Sequence, residues 1–232
     1  EKQSSLKVII LAAGTKAIGD NNDPMVLQTL GEQTILETVV ANARQLVEPE
    51  DIYVVVGYRA DDVIAHLGTE FNYVHQEESL GTGHAVMQAL PALQDDGVTL
   101  VLSGDVPLTR PETLAALVAM CGGDQMALLT VNLTDPTGYG RILRNADQQV
   151  QAIREEKDAT PQERAVTEIY SGIMAVPTAW LRAAIAKLGN DNQQGEYYLP
   201  DLISLAVSDS RRVASSQAGS EIEIQRVNDR VQ

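Results

Sequence analysis

Polar side chains follow several apolar runs of this 232-residue sequence, at places that suit a phosphorylated ligand. Asp105 comes just after the apolar run 98–102, separated from it by Ser103 and Gly104. A carboxylate at the end of a buried strand suits a Mg²⁺ ion held against phosphates. A plain Asp-x-Pro turn ending at Pro107 would use the same residues, so this motif alone leaves both interpretations open.

A second polar group follows the apolar run 71–75. The amide of Gln76 both donates and accepts hydrogen bonds, which suits the edge of a nucleobase. The stretch Gly81-Thr82-Gly83 then opens a helical run, where free backbone N–H groups are expected to be displayed. A turn and helix cap without any ligand would explain the same stretch.

Two later stretches carry polar chemistry, but each is weak by itself. In 136–142 two glycines flank Tyr139, and such a loop lets the backbone contact a sugar. The charged residues 155–158 follow a predicted hairpin, and a solvated surface cluster is the ordinary interpretation of such a run.

These groups are expected to lie on a sheet whose first strand is the apolar run 8–11, which is followed by Ala12, Ala13 and Gly14. A short continuous apolar run bounded by glycine predicts a strand buried on both faces, as in a parallel sheet. Ligands of open α/β sheets bind outside the carboxyl ends of the strands. We therefore expect a ligand at the loop after Gly14, with a tight ligand-free turn as the alternative.

The remaining periodicity predicts strands alternating with helices, which indicates a doubly wound α/β sheet. Thr34, with Glu37 three residues later, predicts a capping box at a helix start. A helix over 196–207 is expected to begin near Leu199, because Pro200 is tolerated only in the first turn. The predicted strands are 52–56, 71–75, 98–102, 127–131, 139–144, 150–155, 169–176, 212–216 and 222–224. The other predicted helices are 34–47, 61–67, 111–120 and 178–188.

Composition narrows the classes of partner. The net charge of −15 argues against nucleic acid and anionic membranes, since both need basic patches. No run approaches the roughly 18 apolar residues of a membrane span, and no signal peptide is recognised before the first strand. The one cysteine, Cys121, excludes an internal disulfide and fits the cytoplasm. A phosphorylated small molecule stays compatible with this charge if backbone N–H groups, basic side chains or a metal assist locally.

Taken in order, the motifs resemble those of one family. They are the stretches 11–14, 78–84, 104–108, 135–142, 157–160, 194–199 and 227–230. Over nearly its whole length the chain resembles the N-terminal domain of the bacterial bifunctional N-acetylglucosamine-1-phosphate uridylyltransferase/glucosamine-1-phosphate acetyltransferases. The resemblance implies a Rossmann-like nucleotidyltransferase fold with a mixed, mostly parallel sheet. It implies one domain over 1–232, with a nucleotide-binding part before about residue 135, a sugar-binding part after it, and no acetyltransferase domain.

The resemblance also implies an activity and a set of site residues. A cytoplasmic enzyme of cell wall biosynthesis would form UDP-N-acetylglucosamine and pyrophosphate from UTP and N-acetylglucosamine 1-phosphate with Mg²⁺. Carried over by position, the nucleotide-binding residues are Leu11, Ala12, Ala13, Gly14, Gln76, Gly81 and Thr82. The sugar-binding residues are Gly140, Glu155 and Tyr170, the metal ligands are Asp105 and Asn228, and the catalytic residues are Lys16 and Asp105.

The sequence departs from the family pattern where phosphates would be held. The family has an Arg at the position of Ile18 and a Lys at the position of Met25. Losing one group that stabilises developing charge typically costs on the order of 10²–10³ in rate. Lys16 is the only cation left in that loop, shifted by two residues from the family Arg.

Three further departures concern the sugar side and the chain end. The family has a Tyr where Ser103 stands, an Asn where Tyr170 stands and a Gly where Arg226 stands. Tyr170 removes an amide that the resemblance assigns to the sugar, and its ring could fill the same space.

Three functions follow from these observations. The first, a sugar-1-phosphate uridylyltransferase, weakened or compensated, is the one we carry forward. A catalytically weakened or inactive relative that binds nucleotide or acts as a scaffold is the second. A nucleotidyltransferase for another sugar phosphate or base is the third. The oligomeric state stays open, and a homo-oligomer is compatible with the sequence.

Overall fold

The computed structural model describes residues 5–14, 25–94 and 96–226. The strands of these residues are β1 (Leu6–Leu11), β2 (Thr29–Leu30), β3 (Gln33–Thr34), β4 (Ile52–Val56), β5 (Asn72–His75), β6 (Val98–Ser103), β7 (Gln125–Asn132), β8 (Arg141–Arg144), β9 (Val150–Arg154), β10 (Glu168–Pro177) and β11 (Arg212–Gln217). Their α-helices are α1 (Ile35–Ala43), α2 (Ala60–Leu67), α3 (Thr82–Ala89), α4 (Pro111–Met120), α5 (Pro161–Arg164), α6 (Thr178–Ile185) and α7 (Leu202–Ser208).

One large mixed sheet forms the centre of the molecule. Its strand order is β11-β7-β10-β6-β1-β4-β5, and β8 and β9 extend it from β10. The strands β6, β1, β4 and β5 are parallel, whereas β10 runs antiparallel to both of its neighbours in that order. The prediction of a mixed, mostly parallel α/β sheet is confirmed.

Both faces of this sheet are covered by helices. The side chains of β1 alternate between two buried clusters, with Val8 and Ile10 in one and Ile9 in the other. The first cluster contains residues of α1, α2 and α4, and the second contains residues of α3, α6 and α7. All three β1 side chains are fully buried, which confirms the strand predicted from the apolar run.

The predicted capping box is present at the start of α1. The Glu37 backbone N–H donates to the Thr34 hydroxyl at 3.1 Å, and the Thr34 N–H donates to the Glu37 carboxylate at 3.2 Å. The helix ends at Ala43 rather than 47, because the residues after it form turns. The predicted helix over 178–188 likewise ends earlier, at Ile185.

One predicted element is wrong. The segment 222–224 is not a strand but part of a 3-10 helix, Glu221–Ile224, whose Glu223 carboxylate accepts hydrogen bonds from the Arg110 N–H (3.2 Å) and the Thr113 hydroxyl (2.7 Å). The expected helix start near Leu199 is confirmed, because a 3-10 turn at Leu199–Asp201 leads directly into α7 at Leu202. Just before it, the Tyr197 N–H donates to the Leu80 carbonyl at 2.8 Å and the Tyr197 carbonyl accepts from the Gly83 N–H at 2.7 Å, so this stretch bonds to another loop.

No helix among the described residues is long and apolar enough to cross a membrane.

Candidate active site

A cavity of about 500 Å³ opens at the carboxyl ends of the central parallel strands. That volume lies within the range of small-molecule sites. The loops after β1 and β6 meet there, since the Gly104 N–H donates to the Leu11 carbonyl at 2.9 Å. A Cβ atom on Gly104 would stand 2.8 Å from that carbonyl oxygen, so a glycine is needed at this approach.

The structure brings most of the predicted site residues to this one cavity. Those that line it are Leu11, Ala12, Ala13, Gly14, Gln76, Gly81, Thr82, Asp105, Gly140, Glu155 and Tyr170. Lys16 and Asn228 lie outside the described residues, as does Ile18. The residues are together in space, and their individual roles in binding stay predictions.

On the first side of the cavity, two hydrogen bonds fix the Gln76 amide. Its Nε2 donates to the Gly81 carbonyl at 3.3 Å and lies 2.9 Å from His84 Nδ1. Because a carbonyl oxygen can only accept, the amide end facing Gly81 is the nitrogen. The side-chain oxygen of Gln76, Oε1, is therefore the amide atom available to a ligand. Sequence reasoning missed His84 as a partner, although it stands eight positions after Gln76 at helical spacing from Gly81.

The Gly81-Thr82-Gly83 stretch is shaped by a neighbouring backbone segment. The Gly83 N–H donates to the Tyr197 carbonyl at 2.7 Å, so the expectation of a free N–H group is wrong at this residue. The Thr82 hydroxyl accepts from the Leu199 N–H at 3.0 Å. Gly81 has φ +106°, and a Cβ there would lie 2.6 Å from the Tyr197 carbonyl. The two glycines therefore allow the segment containing Tyr197 to close this side of the cavity.

On the second side, β8 to β10 bring a carboxyl group and a phenol to the cavity. The Tyr170 N–H donates to the Gly140 carbonyl at 2.9 Å, and a Cβ on Gly140 would lie 3.3 Å from Glu155 Oε1. Burial raises the pKa of Glu155 to about 7, and Arg226 opposes part of that rise. Burial, helped by the nearby Glu155 carboxylate, also raises the pKa of Tyr170.

The Tyr170 hydroxyl is buried and finds no hydrogen-bond partner within the described ranges 5–14, 25–94 and 96–226, although Tyr170 lines the cavity. Buried polar groups are nearly always paired, so an orphaned hydroxyl next to a cavity calls for an explanation. A ligand hydroxyl would satisfy it.

Ser103 and Arg226 are the two other cavity residues that depart from the family pattern. The Ser103 hydroxyl donates to the Gly172 carbonyl at 3.3 Å. A Cβ on Gly172, whose φ is +89°, would lie 2.6 Å from the same hydroxyl oxygen.

Arg226 stacks on the Tyr139 ring with its guanidinium carbon 4.0 Å from the ring centroid. The sequence signalled Arg226 only as a departure from glycine and gave no hint of its contacts.

The residues at the cavity fit a magnesium ion that is shared with substrate. Asp105 lies in the cavity at the carboxyl end of β6 and is partly exposed. The described residues contain no group of three or more His, Cys, Asp or Glu side chains that could hold a metal. Magnesium typically binds one or two carboxylates together with waters and substrate phosphates, so a single Asp is a suitable anchor.

Comparison with known proteins gives relatives along the whole chain. The family described as MobA-like NTP transferase domain matches residues 8–195. The bifunctional protein GlmU of Paracidovorax citrulli is 49% identical over 99% of this chain, and that of Pseudomonas aeruginosa is 50% identical over 98%. The chain spans about half the length of these relatives, 49% and 50% respectively.

A solved structure shares the fold. A nucleotidyl transferase from Methanothermobacter thermautotroptrophicus superposes with a TM-score of 0.67 at 20% identity, covering 96% of this chain and 91% of that one.

Proposed function

Because this chain belongs to the family of MobA-like NTP transferase domains, we propose that it joins UTP to N-acetylglucosamine 1-phosphate to form UDP-N-acetylglucosamine and pyrophosphate. The chain is a nucleotidyltransferase by family and fold. The observation that carries the substrate proposal is that a fixed amide acceptor, a strand-end carboxylate and a carboxyl–phenol pair come together in one cavity.

The proposed base site is the first side of the cavity. The small residues Ala12, Ala13 and Gly14 allow a flat ring to approach the end of β1. The Gln76 carbonyl oxygen can accept a hydrogen bond from the N3–H donor of uracil, whereas cytosine presents an acceptor at that position. Leu11, Gly81 and Thr82 complete this nucleotide-binding set.

The proposed sugar site is the second side. Gly140 leaves room beside Glu155, and the Tyr170 hydroxyl can both donate to and accept from a sugar hydroxyl. The part of the chain after about residue 135 supplies all three of these residues. We therefore keep the division into a nucleotide part and a sugar part of one domain.

In the proposed reaction an oxygen of the sugar phosphate attacks the α-phosphorus of UTP. A P–O bond forms there, and the bond from that phosphorus to the bridging oxygen breaks, with its electrons leaving on pyrophosphate. Asp105 and Asn228 would hold Mg²⁺, which supplies positive charge against the phosphate oxygens when bound. Support for that pairing is that Arg226, two residues before Asn228, lines the same cavity as Asp105. Lys16 is the proposed cation of the loop after Gly14.

The test is release of pyrophosphate by the purified chain from UTP and N-acetylglucosamine 1-phosphate with Mg²⁺. We expect release that depends on both substrates, and calorimetry should show UTP bound more tightly than CTP, ATP or GTP. The matched loss-of-function variant is Asp105→Asn, expected to lower the rate by about 10²–10³-fold. Equal affinity for all four nucleotides, or pyrophosphate release without the sugar phosphate, would contradict the proposal.

A further inference from the structure

Arg226 brings a positive charge to the active-site cavity from the chain end. Among the cavity-lining residues that the structure describes, it is the one Lys or Arg. Its guanidinium lies over the Tyr139 ring within cation–π distance, with 4.0 Å between the guanidinium carbon and the ring centroid. One nitrogen, Nη2, donates to the Gly138 carbonyl at 3.2 Å.

These contacts hold the guanidinium in place, but they do not engage all of its N–H donors. A guanidinium carries five N–H donors, and Nε is buried with no hydrogen-bond partner among the residues that the structure describes. A buried charged donor without a partner is costly, so the arrangement favours a ligand that brings acceptor oxygens. The fork of an Arg matches the paired oxygens of a phosphate.

The surrounding charges point to the sugar side rather than the base side. Arg226 contacts the loop 138–139, and its charge keeps the pKa of Glu155 below what burial alone would give. Asp105, Glu155 and Glu196 also line the cavity, and the whole chain carries a net charge of −15. A sugar phosphate carries negative charge, so it needs a local cation to enter such a site.

We propose that Arg226 binds the phosphate group of the sugar 1-phosphate and holds it for attack on the nucleotide. This role rests on the proposed function, because it assumes that the acceptor is a sugar phosphate. The resemblance places a glycine at this position, so the contact would be this chain's own. Arg226 would supply positive charge on the acceptor side, whereas Ile18 and Met25 supply none on the nucleotide side.

The test compares Arg226→Gln and Arg226→Lys with the unaltered chain, varying the two substrates separately. For Arg226→Gln we expect the KM for N-acetylglucosamine 1-phosphate to rise by about 10- to 100-fold, while the KM for UTP changes less than about twofold. Arg226→Lys keeps the positive charge but loses the paired N–H donors of the guanidinium, so its KM for the sugar phosphate should lie between those of the unaltered chain and Arg226→Gln. The matched control is Arg211→Gln, which removes an Arg that stacks on Trp180 at 5.1 Å and donates to the Gly123 carbonyl at 3.0 Å, outside the cavity.

Calorimetry adds a readout that a purely structural role would not move. In the unaltered chain, N-acetylglucosamine 1-phosphate should bind more tightly than free N-acetylglucosamine, and Arg226→Gln should remove most of that difference. An equal loss for both sugars would show that Arg226 only clamps Tyr139, and a KM rise confined to UTP would assign it to the nucleotide. Either result overturns the proposal, as does an unchanged KM for the sugar phosphate.

The same measurements separate this inference from the proposed function. If the unaltered chain shows no uridylyl transfer, the proposed function fails, and the calorimetric comparison of the two sugars still tests Arg226. If the chain transfers uridylyl groups and Arg226→Gln is indistinguishable from it, only the inference about Arg226 fails. Thermal unfolding shows which variants are folded, and Arg226→Lys with the sugar comparison replaces Arg226→Gln if the latter does not fold.

Discussion

The two sides of the cavity differ in how their polar groups are satisfied before any ligand binds. On the base side, the Gln76 amide nitrogen has two partners and the Thr82 hydroxyl accepts from the Leu199 N–H. On the sugar side, the Tyr170 hydroxyl and the Arg226 Nε are buried without hydrogen-bond partners in the part of the chain that the structure describes. The Glu155 carboxyl there is buried enough to raise its pKa to about 7.

This difference separates two ways of preparing a site. On the base side the Gln76 amide and the Thr82 hydroxyl are held by hydrogen bonds within the protein, so this side can select a base by the orientation of these groups. On the sugar side, burial of polar groups without hydrogen bonds lowers the stability of the free protein. A ligand with hydroxyls and a phosphate can supply the missing hydrogen bonds. Changes on the base side should therefore alter selectivity, whereas changes on the sugar side should trade stability against affinity.

The largest effect is expected from restoring the missing cations on the nucleotide side. The double change Ile18→Arg with Met25→Lys should raise the rate of uridylyl transfer by at least about 10²-fold, because such charges are strong in a water-poor site. Tyr170→Asn should act mainly on use of the sugar phosphate and independently of the cations. Steady-state rates of the double variant, of Tyr170→Asn and of the combination of the two test this. A double variant that binds UTP more tightly yet releases no pyrophosphate would defeat the enzyme hypothesis.

The next effect concerns pH and stability on the sugar side. Since the folded pKa of Glu155 lies above its ordinary value of 4.5, the folded state holds this proton more tightly than the unfolded chain does. The free energy of unfolding should therefore fall as the pH rises from about 4.5 to about 7. Glu155→Gln should remove that fall and be more stable than the unaltered chain at pH 8, on the order of 2 kcal/mol.

The control for this prediction is the adjacent carboxyl. The pKa of Glu156 is lowered, first by a backbone hydrogen bond from Gly138 and further by Arg141, so Glu156→Gln should lower stability at pH 8 instead. Denaturant unfolding of both variants at pH 5 and pH 8 gives the comparison. The same sign of the stability change in both variants would contradict the contrast between a carboxyl whose pKa is raised by burial and one whose pKa is lowered by hydrogen bonds.

A smaller change is expected for the orphaned hydroxyl. Tyr170→Phe should raise the free energy of unfolding by about 1 kcal/mol and raise the KM for the sugar phosphate about tenfold. Tyr73→Phe is the matched control, since the Tyr73 hydroxyl donates to the Gly68 carbonyl outside the cavity and its loss should destabilise the fold without changing KM. Urea unfolding and initial rates measure the two quantities. A Tyr170→Phe variant that loses stability would show that its hydroxyl is satisfied in the free protein.

The smallest expected effect tests the base side. His84→Leu keeps the shape of the side chain but removes the acceptor for Gln76, whereas His84→Asn retains an acceptor near the Nδ1 position. The preference for UTP over CTP should drop roughly fivefold in the Leu variant and be kept in the Asn variant. Competition of the two nucleotides measures this ratio, and an unchanged preference in His84→Leu would show that Gln76 needs no second anchor.

Much of the scaffold could be predicted because its causes lie close together in the sequence. The apolar runs of β1, β4 and β6, the capping box of Thr34 and Glu37, and α4 from Pro111 to Met120 all follow local rules of burial and capping. The motifs after those strands also located the cavity, since parallel strands end on the same edge of the sheet.

The tertiary structure decided what depends on contacts between distant residues. The segment containing Tyr197 is held by backbone hydrogen bonds to Leu80 and Gly83, contacts that nothing in its own sequence indicates. Glu223 draws its segment into a 3-10 turn by accepting bonds at the start of α4.

The same reason separates the predicted site residues from those found only in the fold. Asp105 and Gln76 follow their strands directly, so the sequence alone was enough to propose them. The role of His84 depends on its contact with the amide of Gln76, and that of Arg226 on its contact with the ring of Tyr139, 87 positions away. The free energy of such pairings comes from burial and hydrogen bonding between distant segments, which no local pattern encodes.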